Sequence, residues 1–278
     1  MVKIRIATLM AVYHGDDPMA LTVAIESVLQ QQFTSQVDSR LYLAIDGPVS
    51  DKINQAVEKF GERIHRIHRL KCNGGLAAAL NALIKELNDE QFIFRMDADD
   101  RSHVSRYQVQ LDYFSHHADI DILGTDIIEI NTVNHTKRRI SFCRGPDEAL
   151  AKLCQGVPVA HPTVCLRRHV FDRIGGYPLV GTNEDIALWF RCAQLGFRFD
   201  NVNEPLLDFK VDGAFWQRRS FKKAFNELSC YTSGIWSLNG ITWKYVYPFM
   251  RFILRISPLW VSKLMYASPI RRRSSRIK

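Results

Sequence analysis

The sequence predicts an α/β protein: a mainly parallel central sheet flanked by helices, followed by a helical, basic C-terminal extension. Three observations predict it. Over the first 100 residues, short apolar runs alternate with amphipathic helical patterns. Those runs end in side chains that carry chemistry: Tyr13, Asp46, and the cluster Asp97, Asp99 and Asp100. The charge is also uneven: residues 210–278 hold 14 Lys/Arg against two acids in a chain of net charge +8.

In chain order, Lys3 to Val12 reads as a first strand. Asp16 or Asp17 is a candidate N-cap and Pro18 a candidate first helical residue. Leu21, Ala24, Ile25, Val28 and Leu29 keep helical spacing, which predicts a helix to about Gln32. Leu41 to Ile45 is a second strand, ending in Asp46-Gly47-Pro48, and Asp51 to Phe60 a second helix. Arg63 to His68 is a third strand, placed near an edge. Asn73-Gly74-Gly75 then opens a helix carrying Leu76, Leu80, Leu83, Ile84 and Leu87. Its N–H groups are candidates to face a phosphate or ribose, although no Gly-Lys-Ser/Thr follows.

Phe92 to Met96 is the fourth strand, and three carboxylates follow it at once. A buried strand cannot run straight into that charge, so Asp97, Asp99 and Asp100 belong where the strand leaves the sheet. In open α/β sheets that carboxyl edge is where ligands bind, and the pattern is Rossmann-like. With a turn at Ala98, Asp97 and Asp99 converge on one point. Two such oxygen ligands suit a hard divalent ion, Mg²⁺ or Mn²⁺, which keeps positions open for phosphate.

Beyond the cluster, residues 102–118 read as a helix, Asp121 to Ile130 as a strand, 131–145 as a hairpin or loop, and Asp147 to Leu153 as a short helix. Val159 to Leu166 reads as a strand, followed by a helix ending at Gly175-Gly176-Tyr177. Thr182-Asn183-Glu184-Asp185 precedes a helix that closes at Gly196, and residues 197–211 read as a last strand pair. The chain shows no signal peptide and no run long enough to cross a membrane. Its six cysteines lack any C-x-x-C pairing, which points to reduced thiols.

These residues, in this order, resemble a family 2 glycosyltransferase, an inverting nucleotide-sugar enzyme of the GT-A fold. The resemblance covers about residues 4–211 and is carried by Met10-Ala11-Val12-Tyr13, Asp46-Gly47, Asn73-Gly74-Gly75-Leu76-Ala77 with Leu80-Asn81, Asp97-Ala98-Asp99-Asp100, Arg106 with Gln110, His161-Pro162-Thr163, Gly175-Gly176-Tyr177, and Glu184-Asp185 with Leu188-Trp189-Phe190-Arg191 and Gly196. It is strongest to bacterial enzymes that build capsule, exopolysaccharide or lipopolysaccharide.

The resemblance implies a role for each position. Ala11, Val12 and Tyr13 line the base pocket and Asp46 hydrogen-bonds the base, commonly uracil. Asn73, Gly75 and Ala98 lie near the nucleotide. Asp97 sits by ribose and metal, and Asp99 coordinates the metal. Asp185 is the catalytic base, with Glu184 and Trp189 on the acceptor side. Where the family often has Asp-Asp-Gly-Ser, this chain has Ile45-Asp46-Gly47-Pro48, one acid fewer. The implied organisation is a catalytic body over 1–211, with 1–100 as the nucleotide half and 101–211 as the acceptor half, and an extension over 212–278.

The expected reaction moves a sugar from a nucleoside diphosphate, UDP-linked by resemblance, to a saccharide acceptor. Residues 241–278 mix aromatic and basic side chains and end in Arg271-Arg272-Arg273-Ser274-Ser275-Arg276. That composition suits the cytoplasmic face of an anionic inner membrane, not a nucleic acid. Two other readings are a nucleotidyltransferase that makes sugar nucleotides and an inactive GT-A body that binds membranes or polyanions. The first needs a Gly-rich basic signature after the opening strand, and residues 10–18 lack it. The second conflicts with the intact Asp97/Asp99 and Glu184/Asp185 pairs.

Overall fold

The computed structural model describes residues 3–211 and 220–257. Among them one nine-stranded sheet organises the fold. Its first half is parallel: β1 (Ile4–Tyr13) lies between β2 (Val37–Asp46) and β4 (Phe92–Asp97), and β3 (Arg66–Arg69) forms the edge beyond β2. Three helices cross over between these strands: α1 (Pro18–Leu29), α2 (Asp51–Glu58) and α3 (Leu76–Ile84). Side chains of β1 alternate between two cores. Ala7 and Leu9 enter one, and Ile6, Met10 and Val12 enter the other. Burial on both faces is what an apolar parallel strand requires.

The helix starts follow local chemistry. Asp17 caps α1 by accepting from the Met19 N–H at 3.1 Å, and Pro18 occupies the first helical position. Ser50 caps α2, accepting from the Ile53 N–H at 3.4 Å. A single 3-10 turn at Gly61–Arg63 delays β3 to Arg66, later than the sequence pattern suggests.

The second half of the sheet is mixed. A two-residue strand β5 (Arg101–Ser102) leads into α4 (Arg106–His116). β6 (Ile122–Asn131) forms a hairpin with β7 (Thr136–Ile140), so residues 131–145 do contain a hairpin. After α5 (Pro146–Leu153) come β8 (Cys165–Arg167), α6 (Arg168–Ile174), α7 (Glu184–Gln194) and β9 (Phe199–Val211). β8 joins the halves, antiparallel to both β4 and β6.

Two expectations change here. The apolar run from Val159 to Leu166 is not one strand: His161–Thr163 is a 3-10 turn and only Cys165–Arg167 pairs. Pro162 has no N–H to give a ladder, which is why pairing starts after it. Residues 197–211 are not a strand pair but the single strand β9, parallel to β6 and irregular between Thr125 and Ile128. Asn203 and Glu204 fall out of the register between the Thr125–Val202 and Asp126–Pro205 pairs, so the Asn203-Glu204-Pro205 stretch does not turn the chain.

The C-terminal part is helical, with α8 (Phe221–Asn239) and α9 (Val246–Ile256). α8 packs on α7, and α9 packs on α8. A Cβ on Gly234 of α8 would come within 2.3 Å of the Phe190 ring of α7, so glycine permits this close approach. No helix among the described residues is long and apolar enough to cross a membrane. The arginine-rich end at Arg271–Arg276 lies outside the described residues.

Candidate active site

Register places the first group of residues. Tyr13 pairs with Asp46 across β1 and β2, and Ala11 pairs with Asp97 across β1 and β4. The ends of three adjacent parallel strands therefore bring Ala11, Val12, Tyr13, Asp46 and Asp97 to one edge. Val12 is buried, whereas the Tyr13 side chain is 37% exposed at the rim. Ala98 is buried directly after β4.

Asp46 is itself buried, and its carboxylate is already engaged. One oxygen accepts the Gly74 N–H at 2.7 Å and the other the Gly75 N–H at 2.9 Å. The Asn73 side-chain amide donates to the Asp46 carbonyl at 3.3 Å. Two N–H groups expected to face a phosphate are thus occupied by Asp46, which holds the glycine turn against the end of β2. The turn needs its glycines: Gly75 has φ +84°, and a Cβ on Gly47, at φ +82°, would lie 2.6 Å from the Asn73 nitrogen.

At the end of β4 the three carboxylates differ. Asp97 is partly buried and ion-paired with Arg95, whose side chain is almost entirely buried. Asp99 is exposed. Asp100 is buried, accepts the Lys210 N–H at 3.1 Å through Oδ1, and has no protein partner at Oδ2. Burial, reinforced by the charges of Asp97 and Asp99, pushes the Asp100 carboxyl well above the usual range.

These residues fit a hard divalent cation. The donors are carboxylate oxygens, negative charge is concentrated here, and a buried oxygen of Asp100 lacks a partner. They do not form an all-protein cage: no group of three metal-ligating side chains occurs among the described residues. A cation here would keep most of its coordination for phosphate oxygens and water, as Mg²⁺ and Mn²⁺ do.

The opposite wall comes from the second half of the chain. Glu184 and Asp185 form the first turn of α7, whose preceding Asn183 takes φ +64°. Burial pushes the Asp185 carboxyl up to about 6, with the charges of Glu184 and Asp97 adding to the rise and the α7 backbone N–H groups opposing it. Trp189 of α7 meets the His161 ring, 6.0 Å between centres, and the turn that holds His161 packs on β4, so α7 and β4 border the same region.

Between them lies a group that received no role from the sequence. His161 hydrogen-bonds the Tyr177 hydroxyl at 2.9 Å, and burial with the nearby Arg95 cation holds the imidazole neutral. Asn81 of α3 grips the Tyr177 backbone from both sides, accepting from its N–H at 2.7 Å and donating to its carbonyl at 2.9 Å. Arg95 was missed, although a cation in the middle of an apolar strand is a visible signal. Arg106 and Gln110, both fully buried, brace the site from behind: Arg106 donates to the Arg95 carbonyl at 2.9 Å, and Gln110 donates to the carbonyls of Leu123 and Thr163.

Trp189, expected on the acceptor side, is completely buried. It packs edge-on against His161 and Phe199 and so supports the crevice from beneath; it offers no face to an acceptor.

A family model described as glycosyl transferase family 2 matches residues 9–175. The chain belongs to that family. The match contains the strand ends, the glycine turn and the aspartate cluster; Glu184 and Asp185 lie beyond it.

Relatives cover nearly the whole chain. The UDP-Gal:alpha-D-GlcNAc-diphosphoundecaprenol beta-1,3-galactosyltransferase of Escherichia coli is 25% identical, over 96% of this chain and 97% of its own length. The amylovoran biosynthesis glycosyltransferase AmsE of Erwinia amylovora is 24% identical, over 94% and 97%. Among solved structures, S. aureus TarS 1-349 in complex with UDP matches with a TM-score of 0.61 at 15% identity, over 94% of this chain and 83% of that one. The mannosyltransferase PcManGT of Pyrobaculum calidifontis, in complex with GDP-Man and Mn²⁺, matches with a TM-score of 0.64 at 12% identity, over 95% and 79%. The fold is GT-A, and this family 2 glycosyltransferase is a transferase enzyme.

Proposed function

We propose that this glycosyltransferase moves a sugar from a UDP-linked donor to a saccharide, free or lipid-linked, in the building of a bacterial surface polysaccharide, with inversion at the anomeric carbon. The observation that carries the reading is the placement of Tyr13, Asp46 and Asp97 at the ends of three adjacent parallel strands in a family 2 chain. The relatives support the pathway and donor class: the E. coli enzyme is named for UDP-Gal and a diphosphoundecaprenol acceptor, and AmsE for amylovoran biosynthesis.

In this reading residues 1–211 form the catalytic body, and residues 212–278 an extension that holds the enzyme on the cytoplasmic face of the inner membrane. Tyr13 and the edge formed by Ala11, Val12 and Ala98 hold the nucleoside. Asp46, with Asn73 and Gly75, shapes the floor of its pocket. Asp99, with Asp97, holds Mn²⁺ or Mg²⁺. That cation supplies charge stabilisation to the departing diphosphate. Asp185 takes the proton of the attacking acceptor hydroxyl, and Glu184 orients that acceptor. A carboxylate lifted to about 6 is still ionised at neutral pH and is a better base than an unshifted one. Arg95 holds Asp97 in place through their ion pair.

The test is turnover of a panel of nucleotide sugars, with and without Mn²⁺, for the parent chain, Asp99→Ala and Asp185→Asn. Cation-dependent hydrolysis of one UDP-sugar, lost in Asp99→Ala, supports the reading. Equal transfer by Asp185→Asn overturns the assignment of the base.

A further inference from the structure

Helix α9 is amphipathic in the opposite sense to a helix that packs by its apolar face. Val246, Phe249, Met250, Ile253 and Ile256 follow one stripe, and each is 45–60% exposed. At 100° per residue they span an arc of about 120°. The opposite side of the helix carries Pro248, which is buried, together with Arg251 and Arg255. Both arginines turn back to the body and pair with Glu227 of α8, a carboxylate that is itself buried. Arg251 also stacks over the Tyr231 ring, 5.2 Å from its centre. Two cations thus fix the helix by the side that would ordinarily face water, and the apolar stripe is turned outward. Trp243, 70% exposed, meets the Tyr247 ring at the start of the same helix.

We infer that the α9 stripe is a membrane-docking surface, and that its partner is an anionic lipid bilayer. Charge selects the partner. Residues 258–278, which continue directly from α9, carry six Lys/Arg and no acid. A basic segment adjoining an apolar stripe with aromatic rings at its margin matches a negatively charged interface, where the stripe enters the acyl boundary and the cations meet headgroups. A second copy of the chain would bring a second set of the same positive charges against the first. The inference rests on the proposed membrane-surface transferase and assigns the contact to one helix face. It departs from the sequence reading in one respect: Arg251 and Arg255 serve the fold, not the lipid.

The test uses the full chain and vesicles of phosphatidylcholine with about one third phosphatidylglycerol, in about 0.15 M salt. Phe249→Glu/Ile253→Glu is expected to weaken vesicle binding at least about tenfold, with donor hydrolysis and unfolding temperature unchanged because both positions are exposed. Hydrogen exchange of the unmodified chain is expected to slow across residues 246–256 when vesicles are added. Unchanged exchange there, or equal vesicle binding by the double variant, overturns the inference. So does a dimer in solution that the double variant splits while vesicles bind neither form, and so does equal binding to vesicles without phosphatidylglycerol. Donor hydrolysis is scored without lipid, so failure of the transferase reading shows there and failure of docking shows only on vesicles.

Discussion

The guanidinium of Arg95 hydrogen-bonds the carboxylate of Asp97, two residues further along the same strand. Residues two apart share one face of a strand, so the pair lies flat against the crevice side of the sheet. Arg95 thereby brings a buried cation to Asp97, and its charge is also felt at Asp100, His161 and Tyr177.

Removing that cation leaves Asp97 without its ion-pair partner beside the buried Asp100. Arg95→Met should therefore cost about 3 kcal/mol, the low end for a broken buried pair because Asp97 is partly exposed. Urea unfolding measures the loss. Donor affinity should fall with it, and Arg95→Lys should recover part of both.

The pH dependence of transfer should follow Asp185. With its carboxyl near 6, the rate should drop about tenfold per pH unit on the acid side of that value. Stability carries the opposite sign. The folded chain holds this proton more tightly than the unfolded chain, so the group weakens the fold as pH rises from its ordinary 3.8 to about 6, and the penalty remains above that. Asp185→Asn should abolish transfer, keep donor binding, and raise the unfolding temperature at pH 7. A fall in unfolding temperature would contradict the sign.

Asp99 stands exposed at the mouth of the crevice. Asp99→Ala should change stability by less than about 0.5 kcal/mol while removing the Mn²⁺ dependence of turnover. Titrating Mn²⁺ against both proteins, read by donor hydrolysis and by calorimetry, separates the two effects.

Asp46 is the reverse case, since its carboxylate serves the backbone of the glycine turn. Asp46→Ala should strand two N–H groups and cost about 2 kcal/mol. UDP affinity should fall more than in Asp46→Asn, which keeps one accepting oxygen. Equal affinity in both variants would mean that Asp46 acts on the base and not on the turn.

Local signals carried much of the fold. Asp17-Pro18 starts α1 and Gly175, at φ +77°, ends α6, because caps depend on the few residues around them. The apolar runs of β1 and β4 are plain for the same reason. What the sequence could not disclose depends on distant partners. β9 reads as two strands until β6 is laid beside it and the bulge at Pro205 is seen. His161 and Tyr177 stand well apart in sequence and become neighbours only when Asn81 and Trp189 place them together. Trp189, expected on the acceptor side, is buried: its position beside Glu184-Asp185 says nothing about which side of α7 it occupies.

Gly234 lets α8 lie close against Phe190 of α7, and the Glu227 pairs bind α9 to α8. One helix, α8, therefore lies between the helix of the proposed lipid contact and the helix of the proposed base. At 8–10 Å between neighbouring axes, the stack makes a spacer of roughly 20 Å. Seated on a bilayer as proposed, such an enzyme would reach hydroxyls held at about one height above the headgroups. An acceptor lengthened or shortened by a sugar would then present its hydroxyl at another level. Chain length would then be selected by the thickness of two helix layers, without any contact that counts the sugars.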